Sequence, residues 1–331
     1  MNDGLRRLHP YPFEKLGQLF RDAKPPEDKR AIDLSIGEPK HTTPAFIIEA
    51  LAEHLQSASS YPKTRGTDEL RQSIAGWLKK RFGLPDNSID PEQHILPVNG
   101  TREAIFAFAQ CLISNQQQVP IVLMPNPFYQ IYEGAALLAG AEPGYINCLE
   151  ENNFMPVFED VSDKTWNRCQ LLYLCSPGNP TGAVLDQATL GYLLELADKH
   201  DFIIAADECY SEIYLDEESP PVGLLQAAHH LGRDNFNRCV VFHSLSKRSN
   251  VPGMRSGFVA GDRNLIRDFL RYRTYHGCAM PPFTQAASTL AWQDETHVRD
   301  NRAQYRQKFD VVIPLLAGHL RIQRPPGGFY L

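Results

Sequence analysis

Cys239-Val240-Val241-Phe242-His243-Ser244-Leu245-Ser246-Lys247-Arg248-Ser249-Asn250-Val251-Pro252-Gly253-Met254-Arg255 is the stretch on which the reading of this chain turns. Its first five residues are almost wholly apolar, which marks a strand covered on both faces. Hydroxyl-bearing residues follow at once, then Lys247, and a second fixed cation, Arg255, comes eight positions later. In a mostly parallel sheet, ligands bind beyond the carboxyl ends of the strands, where such polar residues collect. A lysine leaving a buried strand is partly desolvated, so it loses its proton more readily and can attack a carbonyl. Taken alone, Lys247 is one of 33 lysines and arginines, a residue class that belongs mostly to the solvated surface.

The same pattern recurs outward from this stretch. Apolar strands are expected at 121–124, 171–175, 202–206, 240–243 and 257–260, with a strand-like Ile95–Val98 ahead of them. Amphipathic helices are expected at 44–56, 68–82, 102–113, 129–139, 186–200 and 264–275. Alternation of this kind predicts an α/β fold, a mostly parallel central sheet with helices on both faces. Polar clusters fall where the strands end: Pro125-Asn126-Pro127, Ser176-Pro177-Gly178-Asn179-Pro180, Asp207-Glu208 and Ser244 to Lys247. From about Pro281 the helices become longer and more polar, at 282–294 and 297–317, followed by strand-like segments at 320–322 and 327–331. The expected division is an N-terminal arm with part of a small domain over 1–43, a large domain over 44–280, and a small C-terminal domain over 281–331.

Composition narrows the function. The 331 residues are 43% hydrophobic and 22% charged, enough for a sizeable core. A net charge of −6 argues against nucleic acid or an anionic membrane as the main partner. The seven cysteines include no C-x-x-C pair and read as buried apolar residues of a reducing compartment. No apolar run approaches membrane-spanning length and the first residues lead into no signal core, so a cytoplasmic protein is expected. The eleven histidines form no H-E-x-x-H, and no metal is implied.

Ile203-Ile204-Ala205-Ala206-Asp207-Glu208 could close a nucleotide site, but neither G-x-x-x-x-G-K-[ST] nor G-x-G-x-x-G occurs in the chain. The alternative is a carboxylate facing the ring nitrogen of pyridoxal phosphate, where it keeps that nitrogen protonated and the ring electron-withdrawing. Tyr210 and Asn179 could then hold the ring's phenolate oxygen from two sides. Each of these residues taken singly also suits an N-cap or turn. Asn99-Gly100-Thr101-Arg102 opens a helix after a strand, a place where backbone N–H groups bind phosphate and where Thr101 could equally cap. Tyr129, after Asn126-Pro127-Phe128, could stack on a flat cofactor or pack into the core.

These residues resemble the class I/II aminotransferases, pyridoxal-phosphate enzymes of fold type I. The shared motifs are Leu34-Ser35-Ile36-Gly37-Glu38-Pro39, Tyr61-Pro62 with Arg65-Gly66, Asn99-Gly100-Thr101-Arg102, Ser176-Pro177-Gly178-Asn179-Pro180-Thr181-Gly182, Asp207-Glu208-Cys209-Tyr210 and Ser244 to Arg255. The resemblance implies that Lys247 forms the Schiff base with the cofactor and then serves as general base in a ping-pong transamination. It implies that Asp207 pairs with the ring nitrogen, that Asn179 and Tyr210 hold the ring oxygen, and that Tyr129 stacks on the ring. Gly100, Thr101, Ser244, Ser246 and Arg255 are implied in phosphate binding, with Arg102 beside them. Gly37 and Asn179 are implied at the substrate α-carboxylate. Tyr61 is implied to reach the phosphate of a second subunit, so a homodimer with shared active sites is expected. The substrates are a small amino acid and a 2-oxo acid.

Four stretches, 10–16, 37–41, 128–134 and 272–281, are similar to the bacterial N-succinyldiaminopimelate aminotransferases of lysine and cell-wall biosynthesis. Arg65, Arg102 and Arg273 are then candidates for the substrate's distal carboxylate, with salt bridges as their alternative role. The resemblance also places an arginine for the α-carboxylate some tens of residues past Gly327-Gly328-Phe329-Tyr330-Leu331, so a shortened and weakly active chain is expected. Rival readings are an aromatic or alanine aminotransferase, a carbon–sulfur lyase, a regulator built on the same fold, and a cofactor-binding fragment without turnover. The first forty residues hold no helix-turn-helix of the sort a regulator carries.

Overall fold

A computed structural model describes residues 3–30, 32–114 and 118–331. At its centre is a seven-stranded sheet of β1 (Ile95–Val98), β2 (Ile121–Asn126), β3 (Glu142–Asn147), β4 (Cys169–Cys175), β5 (Ile203–Asp207), β6 (Cys239–Ser244) and β7 (Gly257–Gly261). Their order across the sheet is β1-β7-β6-β5-β4-β2-β3. Neighbouring strands run parallel from β3 to β6, and β7 runs antiparallel to both its neighbours.

Period-two alternation explains why the central strands are apolar throughout. In β4, Leu171 and Tyr173 enter one core while Leu172 and Leu174 enter the other. In β6, Val240 and Phe242 separate from Cys239 and Val241 in the same way. Helices α4 (Thr101–Leu112), α5 (Gln130–Leu138) and α10 (Arg263–His276) cover the first face. The second core is filled from α2 (Ala45–Glu53), α3 (Asp68–Phe82), α7 (Gln187–His200), α8 (Leu224–His230) and α11 (Pro282–Gln293). Three shorter or outer helices complete the set: α1 (Pro12–Leu19), α6 (Asp163–Trp166) and α9 (Leu245–Arg248), with α12 (Thr296–Leu316) the longest of all.

Local chemistry sets the helix ends. Thr67 caps α3 by accepting from Leu70 N at 3.3 Å, and Gly83 stops the helix at φ 61°. Asp186 caps α7 and Asp262 caps α10 by the same side-chain device. The expected helix at 68–82 is therefore reproduced end to end, and the other expected helices differ by a few residues.

Two differences have physical causes. β3 was not expected, because Glu142-Pro143-Gly144 carries little strand propensity; it exists through its parallel pairing with β2, at the sheet edge where proline is tolerated. The strands expected at 320–322 and 327–331 do not form. That segment finds no sheet edge: it makes an isolated bridge from Gly327 to Tyr214, and Gly328 N donates to Ile213 O at 2.8 Å.

Candidate active site

The sheet brings the polar clusters to one edge. Cys175 lies opposite Asp207, and Asp207 opposite Phe242, so β4, β5 and β6 end side by side. Gly257 of β7 lies opposite both Ser244 and Val98, which sets the start of α4 level with the start of α9. A side chain at Gly257 would strike the His243 carbonyl and press on Thr101. Only a bare backbone allows the approach.

Lys247 leaves β6 on the single turn of α9. Ser244 opens that turn, accepting from Ser246 N at 3.1 Å and donating to Ser256 O at 3.3 Å. The Lys247 amine donates to Gly37 O at 2.8 Å and stands over the rings of Phe329 and Tyr210 at 5.4 and 5.8 Å. Burial pushes its pKa below the ordinary lysine value and Arg255 acts in the same sense, while Glu38 and Asp207 oppose them. The pairing of β5 with β6 sets Asp207 beside the strand from which Lys247 departs.

Asp207 is only 6% exposed. Its Oδ2 accepts from the Tyr132 hydroxyl at 2.8 Å and its Oδ1 from Cys209 N at 3.3 Å. Burial raises its carboxyl above the usual range, against the pull of those hydrogen bonds. Tyr210 is buried beside it and shares a 2.7 Å hydrogen bond with the Tyr330 hydroxyl. Tyr129, half-buried, precedes α5 and meets Tyr132 edge-on at 5.8 Å. Asn179 is half-buried in the turn after β4.

Gly100 stands before α4 at φ 83°, and no side chain caps that helix. Thr101 is therefore not the cap; its hydroxyl meets the Cys209 thiol at 3.0 Å. A Cβ on Gly100 would collide with the Arg255 guanidinium, which lies against the bare backbone and is otherwise exposed. Ser244, Ser246, Arg255 and the first turn of α4 thus surround one corner.

The peripheral candidates separate. Tyr61 is fully exposed, away from these contacts. Arg65 is tied to Glu92. Arg273, expected as a distal-carboxylate ligand, is instead wholly buried, donating to Glu103 Oε2 at 2.7 Å and to Cys278 O at 2.9 Å. The amphipathic pattern of α10 turns it inward, where a guanidinium requires such a partner. Arg102 is exposed over the Tyr11 ring at 5.7 Å. Two residues at the centre were not read from the sequence as site residues. Tyr330 lies far along the chain from Tyr210, and Tyr132 follows Tyr129, the residue before α5, by three positions, a spacing of nearly one helical turn that makes the two side chains neighbours.

These residues fit pyridoxal phosphate. The corner at Gly100, with an uncapped helix start, two serine hydroxyls and an arginine, suits a phosphate dianion. Asp207, a buried acid raised by desolvation, gains from a cationic ring nitrogen. Between them stands a desolvated amine that can condense with an aldehyde.

A sequence model of the aminotransferase class I and II family matches residues 29–331. An aminotransferase structure from Neisseria meningitidis is 48% identical, with a TM-score of 0.94 over 99% of this chain and 82% of that one. An aminotransferase structure from Helicobacter pylori is 38% identical, with a TM-score of 0.89 over 97% and 82%. Among curated sequences, the LL-diaminopimelate aminotransferase of Maridesulfovibrio salexigens is 32% identical across 95% of this chain and 79% of its own length. With a matching sequence model over residues 29–331 and matching structures, the chain belongs to the pyridoxal-phosphate-dependent aminotransferases of class I and II.

Proposed function

We propose that this aminotransferase exchanges the amino group of a diaminopimelate-class amino acid with a 2-oxo acid, in the cytoplasm and as a homodimer with shared active sites. The observation that carries the reading is geometric: β5 and β6 end side by side, so Asp207 stands next to the strand that delivers the buried Lys247 amine to Gly37 O at 2.8 Å. Curated relatives named for LL-diaminopimelate support the substrate class. The stretches at 128–134 and 272–281 favour its N-succinylated form, with 2-oxoglutarate as the amino acceptor and glutamate as the donor in the reverse, biosynthetic direction.

When bound, pyridoxal phosphate supplies an aldehyde for amine exchange and a ring that accepts electrons from the substrate Cα. Burial lowers the Lys247 pKa and so favours the neutral amine that would condense with the cofactor's aldehyde. The same amine, once free, would be the group that holds and moves the proton at the substrate Cα. Asp207 pairs with the ring nitrogen and Tyr210 donates to the ring oxygen, with Asn179 on the other side. Thr101, Ser244, Ser246 and Arg255 hold the phosphate, and Tyr129 covers the ring face. Gly37 and Asn179 would take the substrate α-carboxylate. Of the three arginines considered for the distal carboxylate, Arg102 is the one with no ion pair among the described residues.

The test offers the protein, loaded with pyridoxal phosphate, a panel of amines under single-turnover conditions and follows the cofactor spectrum and the oxo product. N-Succinyl-LL-diaminopimelate and LL-diaminopimelate are expected to react at least tenfold faster than tyrosine or alanine. A preference for the aromatic or small amino acids overturns the substrate reading, and elimination of a sulfur leaving group without amino transfer overturns the reaction class.

A further inference from the structure

Tyr132 carries no role in the reaction as proposed, yet it touches two of the groups that the reaction uses. It is 1% exposed, so its hydroxyl cannot turn to water for a partner. That hydroxyl reaches Asp207 Oδ2 at 2.8 Å, while the peptide N–H of Cys209 takes Oδ1. The carboxylate is therefore held at both oxygens, and its plane is set. One edge of the same ring abuts Tyr129 at 5.8 Å with the planes 87° apart. Its face stacks on Tyr173 at 4.7 Å and 16°, and the Tyr173 hydroxyl is itself anchored on Ile105 O at 2.8 Å. The ring cannot rotate away without breaking a packed stack.

We infer that Tyr132 is a positioning residue for the cofactor: it fixes the Asp207 carboxylate in the orientation that meets the ring nitrogen, and it backs the Tyr129 platform. The inference rests on the proposed reading of the site. A buried carboxylate that loses one donor both rotates more freely and holds a proton more tightly, and each change weakens its pairing with a cationic nitrogen. The role is distinct from packing, because phenylalanine preserves the ring, its stack and its volume and removes only the hydroxyl.

The experiment measures pyridoxal phosphate affinity by fluorescence titration and the position of the bound cofactor's visible band. It compares wild type, Tyr132→Phe, Asp207→Asn and the double variant. Tyr132→Phe is expected to bind about tenfold more weakly with a shifted band, the scale of one hydrogen bond lost from a buried charged group. In the Asp207→Asn background the same change is expected to alter affinity less than about twofold, because the two residues act as one unit. An affinity and band equal to wild type in Tyr132→Phe overturn the inference, as does an undiminished loss in the Asp207→Asn background. If Tyr132→Phe does not fold, Tyr132→His, which keeps a ring donor, serves instead: affinity within about threefold of wild type supports the inference and a tenfold loss overturns it. Failure of wild type to form a borohydride-trapped adduct at Lys247 overturns the site reading and the inference together, whereas a normal wild-type adduct with an unaltered Tyr132→Phe overturns the inference alone.

Discussion

Burial acts in opposite directions on the two ionisable residues at the centre of this site. It lowers the pKa of Lys247 and raises that of Asp207, so each is pushed toward its uncharged form. For the lysine this is an activation. Deprotonation, and with it reaction with an aldehyde, rises as pH climbs through the lowered pKa. The rate of borohydride-trapped adduct formation with pyridoxal phosphate at Lys247, followed by peptide mass spectrometry, should therefore have its midpoint below the ordinary 10.5. A midpoint at or above that value would mean the amine is solvated. Lys247→Ala should remove the adduct altogether. At the phosphate corner the sensitive position is Gly100, where φ is 83° and any side chain meets Arg255. Gly100→Ala combines backbone strain of about 1 kcal/mol with displacement of that guanidinium. Its affinity for pyridoxal phosphate should fall at least tenfold in a fluorescence titration, and an unchanged value would show that Arg255 is not part of the corner.

Elements are held in place here by charges far from the chemistry. The four-residue α9 is too short to hold itself, and it is anchored by Arg248, the neighbour of Lys247. Arg248 is buried between Trp77 and Trp292, its guanidinium carbon 5.6 and 4.9 Å from their ring centroids, and it donates to Ala291 O at 2.5 Å. With one side chain pinned into α3 and α11, the next is left facing Gly37. Helix α12 is tied down in a similar way. Arg302 donates to both oxygens of Glu217 at 2.9 and 2.7 Å, Arg306 adds a third bond at 2.6 Å, and Arg302 also reaches buried Glu212 at 3.5 Å, which Arg81 of α3 holds at 2.6 Å. Hydrogen bonding to Arg302 holds Glu217 down to about 2, against an ordinary 4.5. A depressed carboxyl stabilises the fold above the ordinary value and loses that contribution as pH falls toward the lowered one. Glu217 is 38% exposed, so screening limits the term to about 1 kcal/mol. Urea unfolding from pH 5 downward should show wild type losing about that much more stability than Glu217→Gln; parallel curves would remove the network from the account.

At the scale of the whole molecule, the first 61 residues carry many exposed apolar side chains, among them Ile32, Leu34, Ile36, Ile48, Leu55 and Tyr61. Large apolar side chains at this density suit burial against another chain better than water. The homodimer reading assigns them to the second subunit and sends Tyr61 to that subunit's phosphate corner. Sedimentation velocity at micromolar concentration should give a dimer, Leu34→Asp should shift it toward monomer, and Tyr61→Phe should lower cofactor affinity severalfold while leaving the dimer intact. A monomer at every concentration would sink the shared-site arrangement. Among the described residues no helix is long and apolar enough to cross a membrane.

What the sequence determined by itself was whatever is written in short range. Strands β4 to β7 were legible because a strand buried on both faces is apolar at consecutive positions. Helix α3 was legible from its amphipathic period. Lys247, Asp207, Asn179 and the Gly100 turn could be named because each comes just after or at the end of a strand; parallel pairing obliges the first three to share an edge, and β1 brings the Gly100 turn there because β1 and β6 both pair antiparallel with β7. Tertiary structure alone decided what depends on distant partners. The Lys247 amine meets the Gly37 carbonyl across 210 positions, and Asp207 meets Tyr132 across 75. β3 exists because β2 lends it hydrogen bonds, and the segment 320–331 lacks a strand because no edge was offered to it. Arg273 looked like a cation for substrate until the fold supplied Glu103. In each case the deciding term is desolvation or pairing, an energy that belongs to two segments at once and cannot be read from either alone.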